Sequence, residues 1–503
     1  MIKRTIIILW LLGGVVSTLT AQLGFRSVYF EEYSAQLLEV IVDSDSTVVL
    51  YGVSRDTFAG PVGIKFVRLD TFGNILSEKL HIDSSVILTT MVWRQGLIRT
   101  QDGGFAIAGA TWTVPGVPYL LKVHADLSLD FIEMYPFSNN DVGNSALLEL
   151  TSGGYMLVQE QITGDDNRDL VVIKTDEEGN QLWRKTYGDD VLQEAALGVK
   201  EFTPNKFIIN GSIVNSKYTT QATYGKSLIL EIDSLGNEIE FWTSSKDYAM
   251  IYDYTLLPDS SWICASGTWE YAPQYGSHMS QPVIFRMDKD RNVMWEKKLG
   301  RLYINNQVQS IVATPDGLFL ATGYMALPGT VKAVHYKFKA NGDSLWMRLD
   351  SAYVDNGGLT YPKTKVIGSA LLSSGSIVSV GYAERATPFG LQEVGFVMKM
   401  SPDGCVDTLN CWVVPNTEPF VQVDEVSVYP NPFSDYLTVS ISDYPQNAYI
   451  YFYDVMGRFL RKERVRLGRN ELTVSDFKRG MIFYEVRDGG VVLGRGKLVK
   501  EIK

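Results

Sequence analysis

Cysteine and histidine are scarce in this chain of 503 residues, with three of the first and four of the second. His81, His124, His278 and His335 are spread along the sequence, no two of them at metal-ligand spacing. Cys405 and Cys411 lie near each other without a third ligand, so no zinc centre is readable. There is no His-Glu-x-x-His and no Gly-x-Ser-x-Gly. Gly225-Lys226-Ser227 ends like a phosphate-binding loop but has Thr220 where the first glycine belongs. Positive charge is not in excess: 46 Lys+Arg against 57 Asp+Glu give a net charge of −11, which excludes the basic footprint of a nucleic-acid partner. Beyond the N-terminus no uncharged apolar run approaches ~18 residues, so no transmembrane segment is expected in the mature chain. The acidic loop at 164–169 lacks the spacing of a calcium loop and reads as solvated. These deficits leave no catalytic residues, no metal and no cofactor to assign.

What is present begins at the N-terminus. Lys3 and Arg4 precede an apolar stretch from Ile6 to Val16, and small residues up to Ala21 follow, the layout of a secretory signal peptide over 1–21. Cleavage after Ala21 is the expectation, with a retained anchor as the alternative. Export makes a local disulfide between Cys405 and Cys411 the expected pairing, while Cys264, in an apolar run, reads as a buried thiol.

The middle of the chain repeats. A turn followed by a β-prone run appears as Gln101-Asp102-Gly103-Gly104-Phe105, as Thr151 to Val158, as Thr314 to Gly323 and as Ser373 to Gly381. A second turn, clearest in Asp176-Glu177-Glu178-Gly179-Asn180-Gln181-Leu182-Trp183, follows each copy of the first. Its glycine position falls at 73, 127, 179, 236, 291, 342 and 404, with Leu127 and Arg291 in place of glycine. Seven units of roughly 54 residues with four short strands each indicate a seven-bladed β-propeller over 22–414. The alternating segment Phe25 to Phe30 is positioned to complete the last blade and remove an open edge.

After a linker at 415–423 the pattern changes. From Asp424 onward there are 13 Lys+Arg against 11 Asp+Glu, whereas the preceding part is acidic. Tyr429-Pro430-Asn431-Pro432 opens this part, Asp454-x-x-Gly457-Arg458 makes a turn, Gly480 precedes an alternating strand, and Lys497-Leu498-Val499-Lys500 ends it. Short alternating strands indicate a small Ig-like antiparallel β-sandwich. These motifs, in this order, resemble the type A C-terminal sorting domain of the Bacteroidetes type IX secretion system, over 424–503. The resemblance implies the secretion machinery as a partner and a secreted or outer-membrane surface-attached protein.

The Asp-x-x-Gly-x-x-x-Trp turn resembles the tryptophan-docking motif of quinoprotein propellers. That resemblance implies a structural use, in which Trp183, Trp295 and Trp346 cement neighbouring blades. In a propeller the connections between second and third strands emerge on one face, and here they vary in length. They carry Trp112, Tyr119, Tyr218, Tyr224, Trp269, Tyr271, Tyr275 and Phe389, the candidate ligand-binding residues for a glycan or a surface protein. A binding or adhesion module is the first reading. A polysaccharide hydrolase or lyase working in the central depression is the second.

Overall fold

The computed structural model describes residues 25–501 except 30–35, 45, 56–59, 90–95, 114, 138–140, 164–166, 189–191, 216–225, 245–247, 273–276, 301–305, 328–329, 352–362, 388–389, 407–425, 442–447, 467 and 489–490. The chain is all-β among these residues, and no helix among them is long and apolar enough to cross a membrane. The expected signal peptide lies outside them.

Seven four-stranded antiparallel units follow one another. Their first strands are Gln36–Ser44, Leu88–Thr89 with Leu97–Arg99, Asp141–Glu149, Leu192–Thr203, Tyr248–Leu256, Gln307–Ala313 and Lys363–Leu371. Each first strand touches the next, and that of the seventh unit touches that of the first, so the sheets close into a propeller of seven blades. The strand Phe25–Tyr29 lies antiparallel to Gly390–Met400, from Phe25↔Lys399 to Tyr29↔Gly395, and takes the outermost place in blade seven. The ends of the ring are thereby hydrogen-bonded to each other and the edge of that blade is covered.

The core is not central but lies in slabs at the blade junctions. Phe66 and Tyr51 of blade one meet Phe105 and Leu121 of blade two, and Val48 and Leu50 of blade one meet Val378 and Val380 of blade seven. Interior strands therefore bury both faces, which is why Phe105–Thr111 is buried throughout.

Turn chemistry fixes where strands end. All seven aligned turn positions have positive φ, from 65° at Arg291 to 88° at Gly73. The leading aspartate caps the turn: Asp233 Oδ1 accepts from the backbone N–H of Leu235 and Asn237, and Asn237 Nδ2 donates to Asp233 Oδ2. A further device joins blades. A basic residue five positions before the turn glycine donates to a carbonyl in the equivalent turn of the next blade. Arg68 reaches Ala125 O at 2.6 Å, Lys174 Ser234 O at 3.3 Å and Lys337 Pro402 O at 3.2 Å. Lys399 reaches Thr71 O at 2.8 Å and so ties blade seven to blade one.

Two second-to-third connections expected as loops, at 268–282 and 383–392, are strand over most of their described residues. Trp262–Ala272 and Ser277–Met287 pair along their whole length, and so do Ile377–Thr387 and Gly390–Met400. Among the described residues the first strand of blade five pairs no further than Tyr248↔Thr268, and Trp269 to Ala272 with its partner strand forms a two-stranded ribbon. Side-chain alternation does not reveal where a neighbouring strand stops.

The C-terminal part packs Val426–Tyr429, Tyr436–Ile441 and Gly468–Thr473 against a sheet of Phe459–Arg464, Ala448–Tyr453, Gly480–Asp488 and Val491–Lys500. Phe433, Leu437, Ile450, Phe452 and Phe477 fill the space between them, an Ig-like sandwich.

Candidate functional site

First strands run away from the face that carries the second-to-third connections, second strands run toward it. The starts of first strands and the ends of second strands therefore meet at that face, around the mouth of the central channel. Trp112 stands there at 71% exposure. Its loop is held rigidly: Trp112 N–H donates to Ile87 O at 2.8 Å, Thr111 N–H to Val117 O at 2.9 Å, and Val117 N–H to Thr111 Oγ1 at 3.0 Å.

The other candidate aromatics have different fates. Tyr119 is a correction: it belongs to the strand Pro118–Val123, is fully buried, and donates its hydroxyl to Thr89 O at 2.9 Å. Strand register carries it into the core although it adjoins the loop in sequence. Trp269 and Tyr271 sit on the ribbon, opposite Ser280 and His278. Tyr218, Tyr224, Tyr275 and Phe389 lie outside the described residues.

Sequence reasoning missed what gathers at the mouth between blades six, seven and one. Tyr324 donates its hydroxyl to Gln307 Oε1 at 2.9 Å, and Lys365 Nζ donates to Tyr382 Oη at 3.1 Å. Lys365 Nζ lies 5.2 Å from the ring centroid of Tyr324 and 5.1 Å from that of Tyr382. Beside them Lys363 pairs with Glu384 at 2.7 Å, and Gln36 Nε2 donates to Glu393 Oε2 at 2.5 Å. These residues come from several different strands, so no local motif announces them.

A second polar group stands at the mouth between blades three and four. Glu160 is buried and its Oε2 is 3.3 Å from Arg168 Nη1. A β-carbon on Gly188 would meet Asp169 Oδ1 at 2.6 Å and Glu194 Oε2 at 2.9 Å, so two carboxylates converge on one glycine. Glycine is what leaves room for both.

Asp350, His335 and Ser379 have the connectivity of a nucleophilic triad. His335 Nε2 is 2.9 Å from Ser379 Oγ, and His335 Nδ1 is 3.7 Å from Asp350 Oδ2. All three are buried between blades six and seven, and Ser379 Oγ also bonds Ser369 Oγ at 2.8 Å. A nucleophile must meet its substrate, so this network joins blades rather than cutting bonds. Among the described residues no group of three or more His, Cys, Asp or Glu side chains is placed to hold a metal ion. Cys405 is disulfide-bonded and Cys411 lies outside the described residues. Cys264 is a free, buried thiol whose pKa burial pushes up.

In the C-terminal sandwich the opening motif meets the closing one. Asn431 Nδ2 donates to Lys497 O at 3.0 Å, and its Oδ1 accepts from Val499 N–H at 2.9 Å. Phe433 exchanges backbone bonds with Val499 O and Glu501 N–H, both at 2.8 Å. Leu498 is buried in the core, and Lys500 Nζ donates to Val474 O and Ser475 O at 2.8 Å each. The turn repeats the propeller's chemistry: Asp454 Oδ1 accepts from Met456 and Arg458 N–H, and Gly457 has φ 76°. Gly480 also has positive φ, 126°. Tyr429–Pro430 and Asn431–Pro432 are cis peptide bonds.

Residues 427–501 match the family of secretion system C-terminal sorting domains. No curated protein matches the chain. Among solved structures, an ulvan lyase of a polysaccharide lyase family is 8% identical with a TM-score of 0.46, over 73% of this chain and 95% of that one. The β-propeller domain of the Trilobed protease from Pyrococcus furiosus is 12% identical with a TM-score of 0.38, over 72% and 94%. A Hadza microbial sialidase is 8% identical with a TM-score of 0.40, over 75% and 95%. With its sorting domain at 427–501, the chain is a substrate of type IX secretion, secreted or attached at the cell surface.

Proposed function

We propose that the propeller, residues 22–414, is a binding or adhesion module for a glycan or a surface protein. The signal peptide at 1–21 carries it over the inner membrane, and residues 424–503, joined by the linker 415–423, direct outer-membrane export. The observation that carries the reading is Trp112, a mostly exposed indole on a loop fixed by three hydrogen bonds from its backbone. A large exposed aromatic surface on a backbone already held in place is suited to stacking on a sugar or anchoring a partner. The ribbon bearing Trp269 and Tyr271 rises from the same face. A screen of the purified propeller against glycans and surface proteins tests this. Trp112→Ala should weaken the binding found by ~1–3 kcal/mol and leave the melting temperature nearly unchanged. Undiminished binding in Trp112→Ala and Trp269→Ala variants moves the site off this face.

One observation favours a second reading, a polysaccharide hydrolase. Asp169 Oδ1 and Glu194 Oε2 lie 2.6 and 2.9 Å from where a Gly188 β-carbon would sit, so two carboxylates stand close together, as the paired acids of a glycosidase must. Such an activity should appear in a reducing-sugar assay and vanish in both Asp169→Asn and Glu194→Gln. Activity that persists in either variant excludes this pair.

A further inference from the structure

Lys365 is a half-buried ammonium that has no counter-charge among the described residues. Its partners are a neutral hydroxyl, Tyr382 Oη at 3.1 Å, and two ring faces, those of Tyr324 and Tyr382. Among the described residues no carboxylate lies within ion-pair distance of it, in a chain with 57 Asp and Glu. Two residues earlier, at the same mouth, Lys363 is paired with Glu384 at 2.7 Å. Elsewhere in the propeller Lys122 is paired with Asp102 and Asp130 and Lys337 with Asp316, while Lys174 and Lys399 donate to the carbonyls of Ser234 and Thr71; Lys365 has neither kind of partner among the described residues. Withdrawing a cation from water without an opposite charge costs free energy, and among the described residues only the hydroxyl and the two rings offset it.

The surrounding groups are donors. Lys365 has three N–H bonds and uses one on Tyr382. The Tyr382 oxygen accepts that bond, which leaves its own O–H to donate. Gln307 Oε1 accepts from Tyr324 at 2.9 Å and from Gln309 Nε2 at 3.2 Å, and this leaves the Gln307 NH₂ as a further donor. An ammonium, a phenol and an amide NH₂ with spare hydrogens complement a group that only accepts. An ionised carboxylate or a sulfate ester is such a group, and the half-buried Tyr382 ring supplies a surface for the sugar that bears it.

We propose that Lys365, Tyr382 and Gln307, at the channel mouth between blades six and seven, bind the anionic group of an acidic sugar. The inference rests on the reading of this face as the ligand-binding one, and it specifies the ligand as an anionic glycan.

The test is binding of the propeller to an array of defined oligosaccharides. The array pairs uronate-bearing chains with their methyl esters and sulfated chains with their desulfated forms. Binding is expected to one anionic member and to weaken about tenfold or more against its neutral counterpart; which member binds separates carboxylate from sulfate. Lys365→Met should erase the difference between charged and neutral forms, and Lys365→Arg should keep part of it. Lys363→Met, which removes a cation already paired, should preserve it. Thermal melts of each variant check that the blades remain folded. If glycans bind but the neutral forms bind as well, or Lys365→Met keeps the preference, this inference falls while the binding face stands. If no acidic chain binds at all, it falls too, and the binding face is then judged by the Trp112 variant against whichever neutral glycan or protein does bind.

Discussion

Trp346 lies across Gly404 of the following blade, and a β-carbon on Gly404 would sit 3.1 Å from its ring. The same contact recurs between Trp295 and Gly342 at 3.1 Å, Trp183 and Gly236 at 2.9 Å, and Phe131 and Gly179 at 2.9 Å. The two turns without glycine, at Leu127 and Arg291, follow the two blades that place Ser77 and Glu240 where the ring would be. Each of these four glycines thus answers two demands, a positive φ and a ring pressed against its α-carbon. Where the ring is missing, only the backbone demand remains, and a larger residue accommodates it.

Trp183→Ala should therefore destabilise the propeller by ~3–5 kcal/mol, because the slab beside Met156, Leu170 and Phe207 loses a ring it cannot refill. Gly236→Ala should cost ~1–3 kcal/mol from its backbone alone. Arg291→Gly, made together with the change described next, should restore a turn of the common type. Denaturant midpoints measure all three, and a Gly236→Ala protein as stable as the parent refutes the stacking argument.

The junction of blades four and five reverses the charges used elsewhere. Glu231 stands where the other six blades have a basic residue, and it pairs with Arg291 and Lys206. Arg291 also lies 4.0 Å over the Trp262 ring, which stacks on Tyr254 at 4.5 Å, with Lys200 Nζ 4.2 Å over the far ring. Arg291→Ala leaves the buried Glu231 with Lys206 as its remaining partner and should cost ~1–3 kcal/mol. Glu231→Lys with Arg291→Gly rebuilds the common junction and should recover at least half of that loss. A double variant no better than Arg291→Ala would show that the two positions do not form one unit.

Much of this ring is legible in the sequence because its turns are dictated by backbone geometry. Positive φ selects glycine, and an aspartate that caps its own turn leaves a spaced Asp-x-x-Gly signature. The bases at this position, which join blades at all but Lys122, carry a signal of the same kind that the turn motif alone does not capture: Arg68, Lys122, Lys174, Arg286, Lys337 and Lys399 each stand five residues before the turn position. Lys365, Tyr324, Tyr382 and Gln307 leave no such trace, because strand register pairs Gln307 with Tyr324 and Lys365 with Tyr382, and only the packing of blade six on blade seven brings the two pairs together. Tyr119 misleads for the opposite reason, since nearness to a loop in sequence says nothing about which way a strand side chain faces.

Acid should loosen the turns before it unfolds the slabs. Asp233, Asp288 and Asp454 are held below the usual carboxylate pKa first by backbone N–H bonds from Asn237, Asn292 and Arg458. Burial raises the Asp102 pKa, but hydrogen bonds from Lys122, Thr100 and Gly104 outweigh it and bring it down to about 2. A depressed folded pKa means stability that is complete above the unfolded value of about 4 and is lost as pH falls toward 2. Asp102→Asn should therefore melt lower than the parent at pH 6 and converge with it near pH 2. Because Asp102 is half-exposed, the shift should be no more than a few degrees. Curves that stay parallel across this range rule the carboxylate out.

The clasp in the sorting domain predicts why its last residues matter. Lys500 is buried and its ammonium satisfies two carbonyls, Val474 O and Ser475 O, while lying 5.8 Å over the Phe433 ring. Asn431 holds the backbone of Lys497 and Val499 from the other end of the domain. Lys500→Met keeps the length and apolar stem but orphans both carbonyls, at ~1–3 kcal/mol, and Asn431→Ala removes two edge bonds. Cutting the chain after Gly496 would strip Leu498 from the core as well, so the single substitutions are the cleaner probe. Both should lower the melting temperature of the C-terminal sandwich, leave the propeller's own transition in place, and retain the protein in the periplasm. Cell fractionation after pulse labelling reads the last effect. If the variants are measurably destabilised yet reach the surface or medium as fast as the parent, the clasp serves folding alone and export reads another part of the domain.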